Sequence, residues 1–191
     1  MSAHPEAQIL MLTDLQKRKL MKLFTVYDAD CSGVLERKDF DKVAQELTAM
    51  AGWSTRSPKC LTLTNQFAQE WKCLLKSADA DQDQAISIEE WFGYYDDLLS
   101  DEKKYQERAA ALQDQIFDVF DANGNGELCD TEWAKFLSIC NVSPVYVTVL
   151  FPKLDTDGDG VIKKADFLTL MQDFFYSNDP DAPGNLVFGP Y

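Results

Sequence analysis

Hydrophobic residues recur at helical spacing along most of the chain, and four short acidic runs interrupt them. The first amphipathic segment opens with Thr13 and Gln16, which have the spacing of a capping box. Apolar residues at i, i+3, i+4 and i+7 then share one face of the predicted helix, namely Leu20, Leu23, Phe24 and Tyr27. An aromatic residue follows each acidic run, at Phe40, Trp91, Trp133 and Phe167. The pattern predicts an all-α protein in which every acidic run is a loop between two helices.

The four acidic runs are copies of one twelve-residue pattern. They cover residues 28–39, 79–90, 121–132 and 155–166, and each opens with an aspartate and has an aliphatic residue at position 8. This spacing resembles that of the EF-hand loop, in which side chains at positions 1, 3, 5 and 12 and the carbonyl at position 7 surround one divalent cation. The sequence therefore predicts four ion sites, which we number in chain order as loops one to four.

The predicted ligands follow from the pattern, with position 7 contributing its backbone carbonyl. Loop one would use Asp28, Asp30, Ser32, Val34 and Asp39, and loop two Asp79, Asp81, Asp83, Ala85 and Glu90. Loop three would use Asp121, Asn123, Asn125, Glu127 and Glu132, and loop four Asp155, Asp157, Asp159, Val161 and Asp166. The competing interpretation of each run is an acidic turn that binds no ion.

The residue at position 12 divides the loops into two kinds. Glu90 and Glu132 can reach an ion with both carboxylate oxygens, whereas Asp39 and Asp166 are one methylene shorter. Losing one oxygen moves the cage towards the octahedral geometry that Mg²⁺ prefers. We therefore expect loops two and three to prefer Ca²⁺, and Mg²⁺ to compete with Ca²⁺ in loops one and four.

Position 6 of the loop needs a positive φ, which glycine adopts at little cost. Glycine stands there in loops one, three and four, as Gly33, Gly126 and Gly160. Loop two has Gln84 instead, and a non-glycine residue in this conformation costs about 1 kcal/mol. We expect loop two to bind its ion more weakly than its acidic residues alone would indicate.

The loops fall into two pairs, one with two and three with four. Within each pair the aliphatic residues at position 8 should form a short antiparallel β contact, Leu35 with Ile86 and Leu128 with Ile162. No Gly/Ser-rich or Pro-rich hinge separates the pairs. We therefore expect the four EF-hands to form one compact globule.

The predicted organisation has three parts: an N-terminal EF-hand pair in residues 1–100, a C-terminal pair in 101–176, and a tail in 177–191. Prolines and glycines in the tail exclude a helix. The tail nevertheless ends in apolar side chains, Leu186, Val187, Phe188 and Tyr191. We expect these to pack into a groove of the globule, and the alternative is a disordered end.

Composition and charge narrow the function classes. The chain has 191 residues and 46% of them are hydrophobic, which is ample for a packed core. Its net charge of −14 argues against nucleic acid as a partner, because phosphate binding needs clustered Lys and Arg. We find neither a signal-peptide pattern nor an apolar stretch long enough to span a membrane.

Five cysteines and one glycosylation sequon do not indicate secretion here. The cysteines are odd in number and lack metal-type spacing, which fits free thiols in a reducing compartment. Asn141, Val142 and Ser143 form the sequon, and we interpret them as the approach to a helix, with Ser143 as N-cap and Pro144 at the first helical position. We expect a cytoplasmic, monomeric protein.

These features together resemble the invertebrate sarcoplasmic calcium-binding proteins and the related calexcitins. The resemblance rests on four unequal loops, on aspartate at position 12 of loop one, and on the segments LTDLQKRKLMKLFTVYDADCSG, SIEEWFGYYDD and DFFYSNDPDAPGNLVFGPY. It implies a compact cytosolic buffer with mixed Ca²⁺ and Mg²⁺ sites. Members of that family often lose one or two loops, whereas all four keep a ligand set in this sequence.

Two alternative functions remain open. A calcium sensor of the calexcitin type would open on binding and expose a Met-rich groove for a protein target. Only five methionines occur, and Phe and Tyr dominate the helix faces, which favours a closed core. A protein related to the luciferin-binding proteins would hold a small ligand in a central cavity, which Trp53, Trp71, Trp91 and Trp133 could line.

Catalysis has no support in the sequence. Photoproteins, by resemblance, need internal histidines beside the chromophore, and His4 is the only histidine. The chain also lacks the H-E-x-x-H, G-x-S-x-G and G-x-x-x-x-G-K-[ST] motifs. Because the loop carboxylates are explained as metal ligands, we assign no catalytic residue.

Overall fold

The structure is a computed structural model that describes residues 12–191, except for the side chains of residues 110 and 111. His4 and the first eleven residues of the predicted N-terminal pair lie outside the described part. The helices are α1 (Asp14–Tyr27), α2 (Arg37–Met50), α3 (Pro58–Ala78), α4 (Ile88–Leu99), α5 (Glu102–Phe120), α6 (Asp130–Ile139), α7 (Val147–Leu154) and α8 (Lys164–Tyr176). Every acidic run joins two consecutive helices, so the all-α prediction is confirmed.

Side-chain caps begin several of these helices. In α1 the Thr13 hydroxyl accepts a hydrogen bond from the Gln16 backbone N–H at 3.3 Å, and Gln16 Oε1 accepts from the Thr13 N–H at 3.0 Å. The predicted capping box is therefore present. Ser57 caps α3 in the same way, with Pro58 at its first position.

The predicted start of the helix at Pro144 is only partly right. Residues Pro144–Tyr146 form a 3₁₀ turn, and α7 begins at Val147. The Ser143 side chain makes no cap hydrogen bond. Its backbone carbonyl instead accepts from the Tyr146 N–H at 3.0 Å. The tighter turn thus satisfies the N–H group that the hydroxyl was expected to cap.

Short β contacts couple the loops in pairs, as predicted. Leu35 and Ile86 exchange two backbone hydrogen bonds of 2.9 Å as an isolated antiparallel bridge. Strand β1 (Glu127–Leu128) pairs antiparallel with β2 (Ile162–Lys163), which places Leu128 opposite Ile162. All four aliphatic side chains are buried. Each pair of loops therefore closes on its own small apolar contact.

Aromatic side chains connect the two EF-hand pairs into one body. Tyr95 on α4 stacks on Phe175 of α8, with ring centroids 5.6 Å apart. From this contact a chain of ring contacts with centroid distances of 4.5–6.0 Å extends both ways, through Trp91, Tyr27, Phe40 and Trp71 on one side and Phe174, Phe188, Phe136 and Trp133 on the other. The globule of four EF-hands is thus confirmed.

Two lysines on α1 attach this helix to the C-terminal EF-hand pair. Lys19 is fully buried, and its ammonium donates to the carbonyls of Asp173 and Ser177 at the end of α8, at 3.2 and 2.9 Å. Lys22 donates to the Cys140 carbonyl, at the end of α6, at 3.0 Å. A cation at a helix C-terminus is favourable because the carbonyls there carry partial negative charge.

The tail packs on the globule through its centre. Residues Pro183–Leu186 form a 3₁₀ turn, so the expectation of an entirely non-helical tail was wrong for these four residues. A proline at the first position of such a short turn costs no hydrogen bond. Val187 and Phe188 are buried and Leu186 partly so, whereas Tyr191, also expected to pack inwards, is 38% exposed.

A single buried asparagine fixes the tail. The Asn185 amide nitrogen donates to the carbonyls of Asp179 and Pro180, at 2.8 and 3.2 Å. Its oxygen accepts from the Lys19 ammonium at 2.8 Å. Gly184 lies so close to the Leu170 carbonyl that a Cβ atom would collide with it. Lys19 therefore joins α1, α8 and the tail at one point.

The four tryptophans do not line a common cavity, contrary to the expectation for a luciferin-type pocket. Trp91 alone among them lines the central cavity of the described chain. Trp71 and Trp133 are buried in the core against Phe40 and Phe136 respectively. Trp53 is partly exposed beneath the Lys59 ammonium. The tryptophans are structural, because each fills space beside another core element.

Replacing Lys19 by methionine should lower the free energy of unfolding by about 2 to 3 kcal/mol, because it leaves three buried acceptors without a donor. Burial lowers the pKa of Lys19 to about 8, despite the opposing effect of Asp173. Between pH 8 and 10.5 the Lys19 side chain is neutral in the folded protein and protonated in the unfolded chain, so unfolding takes up a proton. Wild-type stability rises over that range, so its advantage over Lys19→Met should widen with pH in urea unfolding.

Lys17→Met is the matched control, because Lys17 lies on the same helix but is only partly buried. It should leave stability within about 0.5 kcal/mol of wild type. Equal stability of the two variants across the pH range would contradict the assigned role of Lys19.

Candidate metal centre

Each acidic loop is wound around its own first aspartate. In loop four the Asp155 carboxylate accepts from the N–H groups of Gly158 and Gly160, at 2.9 and 2.8 Å. In loop three the Asp121 carboxylate accepts from Asn125 and Gly126, at 3.0 and 2.8 Å. These bonds curl the backbone so that the polar side chains at positions 3 and 5 approach the same point.

Loop one is wound in the same way. Asp28 accepts from the backbone N–H groups of Ser32 and Gly33, at 2.9 and 3.0 Å. The Ser32 hydroxyl donates to the carbonyl of Val34, the predicted position 7 ligand, at 2.9 Å. The same hydroxyl lies 3.2 Å from Asp28 Oδ1, so three of the five predicted ligand groups of loop one are in contact.

Loops two and four bring three carboxylates together. Oxygen atoms of Asp79, Asp81 and Asp83 all lie within 4.8 Å of one another, as do oxygen atoms of Asp155, Asp157 and Asp159. In loop two, Asp79 Oδ1 is buried and has no hydrogen-bond partner among residues 12–191. Gathered carboxylates repel one another, and a buried unpaired oxygen is costly. A divalent cation coordinated by these oxygens removes both costs, so the donor set fits a hard ion.

The loop backbones have the positive φ angles that the turn requires. At position 6 these are +82° for Gly33, +81° for Gly126, +86° for Gly160 and +68° for Gln84. Gln84 therefore adopts the conformation that was expected to strain loop two. Its N–H group still donates to Asp79 Oδ2, at 3.2 Å.

Position 4 is a second left-handed position, which sequence reasoning missed. It is occupied by Cys31 and Gln82 in loops one and two, and by Gly124 and Gly158 in loops three and four. The glycines in the last two loops were the available signal. Loop two is thus the loop with non-glycine residues at both left-handed positions, which adds to its strain.

The position 12 residues differ in reach. Glu90 spans loop two, since one oxygen accepts from the Ala80 N–H and the other from the Ser87 N–H, both at 2.9 Å. Glu132 spans loop three likewise, with two bonds of 3.1 Å to Ala122 and Cys129. A glutamate can therefore contact both ends of its loop and present both oxygens to the space between.

The shorter aspartates do not span their loops. Asp39 Oδ2 accepts from the Glu36 N–H at 2.7 Å, and no bond to the start of loop one accompanies it. Asp166 in loop four has no side-chain hydrogen bond to any other residue that the structure describes. The one-methylene difference noted in the sequence thus changes how the loop is closed.

Lysines compete for the carboxylates of loops one and four. The Lys38 ammonium contacts Asp30 at 2.9 Å and Glu36 at 2.6 Å. Its hydrogen bond to Asp30 lowers the pKa of the Asp30 carboxyl to about 2. Lys163 forms ion pairs with Asp157 and Asp159 and lowers the pKa of Asp159. An incoming cation must displace these ammonium groups. Sequence reasoning missed the role of Lys38, because it depends on side-chain reach.

Comparison with known proteins gives a consistent set of relatives. A family model described as an EF-hand domain pair matches residues 109–172. Calerythrin of Saccharopolyspora erythraea is 26% identical over 168 residues, covering 87% of this chain and 95% of the relative. Calexcitin-1 of Caenorhabditis elegans is 26% identical over 177 residues, covering 90% and 85% respectively. A sarcoplasmic calcium-binding protein from amphioxus shares the fold, with a TM-score of 0.71 and 19% identity over 94% of this chain and 99% of that one.

Among residues 12–191 none of the helices combines the length and the hydropathy needed to cross a bilayer.

Glu132→Gln should abolish tight Ca²⁺ binding in loop three and lower the stoichiometry in calorimetric titration by one ion. The substitution removes one of the two carboxylate side chains among the predicted ligands of loop three, and the amide that replaces it cannot accept hydrogen bonds from both Ala122 and Cys129. We expect an affinity loss of at least about tenfold to a hundredfold at this site.

Asp130→Asn serves as the control, because it removes an exposed charge at position 10 of the same loop without removing a predicted ligand. Full stoichiometry in Glu132→Gln would show that the ligand assignment in loop three is wrong.

Proposed function

We propose that this chain, which belongs to the sarcoplasmic calcium-binding protein and calexcitin family of EF-hand calcium-binding proteins, is a closed cytoplasmic buffer for Ca²⁺ and Mg²⁺. The observation that carries the proposal is the aromatic contact between the two EF-hand pairs, centred on Tyr95 and Phe175. It packs the facing sides of the two pairs against each other. The protein would act as a monomer, without a nucleic acid partner and without catalysis.

All four loops are proposed ion sites, with the twenty ligands assigned above. Support for loop two comes from the unpaired oxygen of Asp79 and the three gathered carboxylates, despite the strain at Gln82 and Gln84. Support for loop three comes from Glu132, which spans the loop. The backbone hydrogen bonds to the first aspartate support loops one and four.

Ion preference would follow the reach of position 12. Glu90 and Glu132 span their loops and can offer two oxygens, which suits the seven-coordinate cage of Ca²⁺. Asp39 and Asp166 do not span theirs, which suits the smaller octahedral shell of Mg²⁺. We therefore propose that Mg²⁺ competes in loops one and four.

A sensor would need a surface that opens. Sensor EF-hands separate their helices on binding Ca²⁺ and expose a methionine-rich groove. In this chain Met171 is buried in the core, Met50 is partly buried, and Met21 is 42% exposed on α1. Lys19 and Lys22 also hold α1 against the C-terminal pair. These contacts favour a body that stays closed.

A dye titration tests this proposal. Ca²⁺ is added to Mg²⁺-saturated protein in the presence of ANS, which fluoresces on exposed apolar surface, while ion uptake is followed by calorimetry. We expect Ca²⁺ uptake with a flat ANS signal, because binding leaves the aromatic core closed.

Calmodulin, measured in parallel, is the positive control because it exposes apolar surface on binding Ca²⁺. A large rise in ANS fluorescence at micromolar Ca²⁺ would instead make this chain a sensor with a protein target.

A further inference from the structure

A cavity of about 110 Å³ lies at the centre of the molecule, between the two EF-hand pairs. Its walls come from most helices and from the tail, including Leu23, Phe40, Phe136, Met171 and Phe188. Aliphatic and aromatic side chains make up most of the lining. Because a folded interior is normally packed without such voids, the space is a feature to be explained.

Two tyrosines in the lining have unused hydroxyl groups. Neither Tyr27 nor Tyr95 makes a hydroxyl hydrogen bond with another of the residues 12–191. By contrast, the Tyr105 hydroxyl, also in the lining, accepts from the Gln113 amide at 2.7 Å. Buried tyrosine hydroxyls normally find a partner. The cavity is the space from which a partner for Tyr27 and Tyr95 can come.

Both rings are held firmly by aromatic neighbours. Tyr27 stacks on Phe40 with centroids 4.5 Å apart, and Tyr95 stacks on Phe175 at 5.6 Å. Each also meets an edge or face of Trp91, at 6.0 and 4.7 Å respectively. The hydroxyl positions are therefore fixed before anything binds, which reduces the entropy cost of binding.

The charged groups of the lining balance each other. Glu70 and Arg108 both line the cavity and both keep some solvent exposure. Arg108 donates to the Tyr94 hydroxyl at 3.5 Å and lies 6.0 Å from the centre of that ring. One negative and one positive side chain give no net attraction for a charged ligand. Burial raises the pKa of Tyr27 and Tyr95, so their hydroxyls stay neutral donors.

We propose that this cavity binds a small uncharged aromatic molecule of one ring that carries a hydroxyl group. The volume limits the ligand to a single ring with at most a small substituent, since an apolar cavity of about 150 Å³ takes up benzene and this one is smaller. A ligand of several rings, as a luciferin-type pocket would need, does not fit this space. The aromatic lining selects a ring, and the unused hydroxyls of Tyr27 and Tyr95 select a polar substituent. This function goes beyond ion binding and does not depend on it.

The test compares two probes that differ in one hydroxyl group. The full-length, Ca²⁺-saturated protein is titrated with phenol and with benzene, and binding is followed by NMR shifts of the Trp91 indole and by calorimetry. We expect one phenol per chain, bound about fivefold more tightly than benzene, which is the worth of one net hydrogen bond.

Two tyrosine variants locate the site. Tyr27→Phe and Tyr95→Phe keep the stacked rings but remove the hydroxyls, so the double variant should bind phenol no more tightly than benzene, because the buried ligand hydroxyl has lost its partners. Ala109→Leu fills part of the cavity, because Ala109 is in its lining, and should weaken both probes. Tyr146→Phe is the control, since Tyr146 is 47% exposed and lies outside the cavity lining, and it should change nothing.

Three results would overturn the proposal. The first is no binding of either probe to wild type at millimolar concentration, as expected if the hydroxyls are satisfied by water alone. The second is equal affinity of wild type for both probes. The third is an unchanged preference for phenol over benzene in the folded double variant, with folding checked by circular dichroism.

Discussion

Negative charge gathered at four points is the constraint on which the rest of this structure depends. Each loop curls around its first aspartate and brings further oxygen donors towards it, and in loops two and four three carboxylates meet within 4.8 Å. The carboxylates within such a cluster repel one another unless a cation lies among them. The chain carries a net charge of −14, so the folded state gains stability from every divalent ion it holds. Ion binding at the proposed sites would therefore also contribute to folding.

The apolar core holds the four loops in fixed positions relative to one another. The position 8 contacts, Leu35 with Ile86 and Leu128 with Ile162, tie the loops in pairs. The stack of Tyr95 on Phe175 then joins the pairs, and Lys19 fastens α1 to α8 and to the tail. Under the proposed buffer function, a body held at these three levels would take up ions without exposing its interior. The same rigidity holds Tyr27 and Tyr95 in place around the central cavity.

Features that repeat or that depend on local spacing were predictable from sequence. The capping box at Thr13 and the loop positions follow from local spacing, where backbone geometry decides the outcome. Gln84 adopts its expected left-handed conformation for the same reason. The β contacts join residues far apart in the chain, but the aliphatic residue that recurs at position 8 of every loop marks them.

Other features depend on elements far apart in the chain or on how far a side chain reaches. Lys19 meets Asn185 across 166 residues, and Lys38 reaches Asp30 by side-chain length alone. No sequence pattern marks either pairing. The sequence left open whether the tryptophans line a cavity or belong to the core, and tertiary packing places Trp71 and Trp133 in the core while Trp91 lines the cavity. Tyr191 likewise lies under Arg18 at the surface, where its ring meets a guanidinium.

Small-angle X-ray scattering tests the central claim, a single closed body, most directly. A compact chain of this length has a radius of gyration of about 16 Å. The account predicts this value in saturating Mg²⁺ and the same value, within error, in saturating Ca²⁺. A clearly larger radius in either state, or a scattering curve of two separate lobes in Ca²⁺, would contradict it.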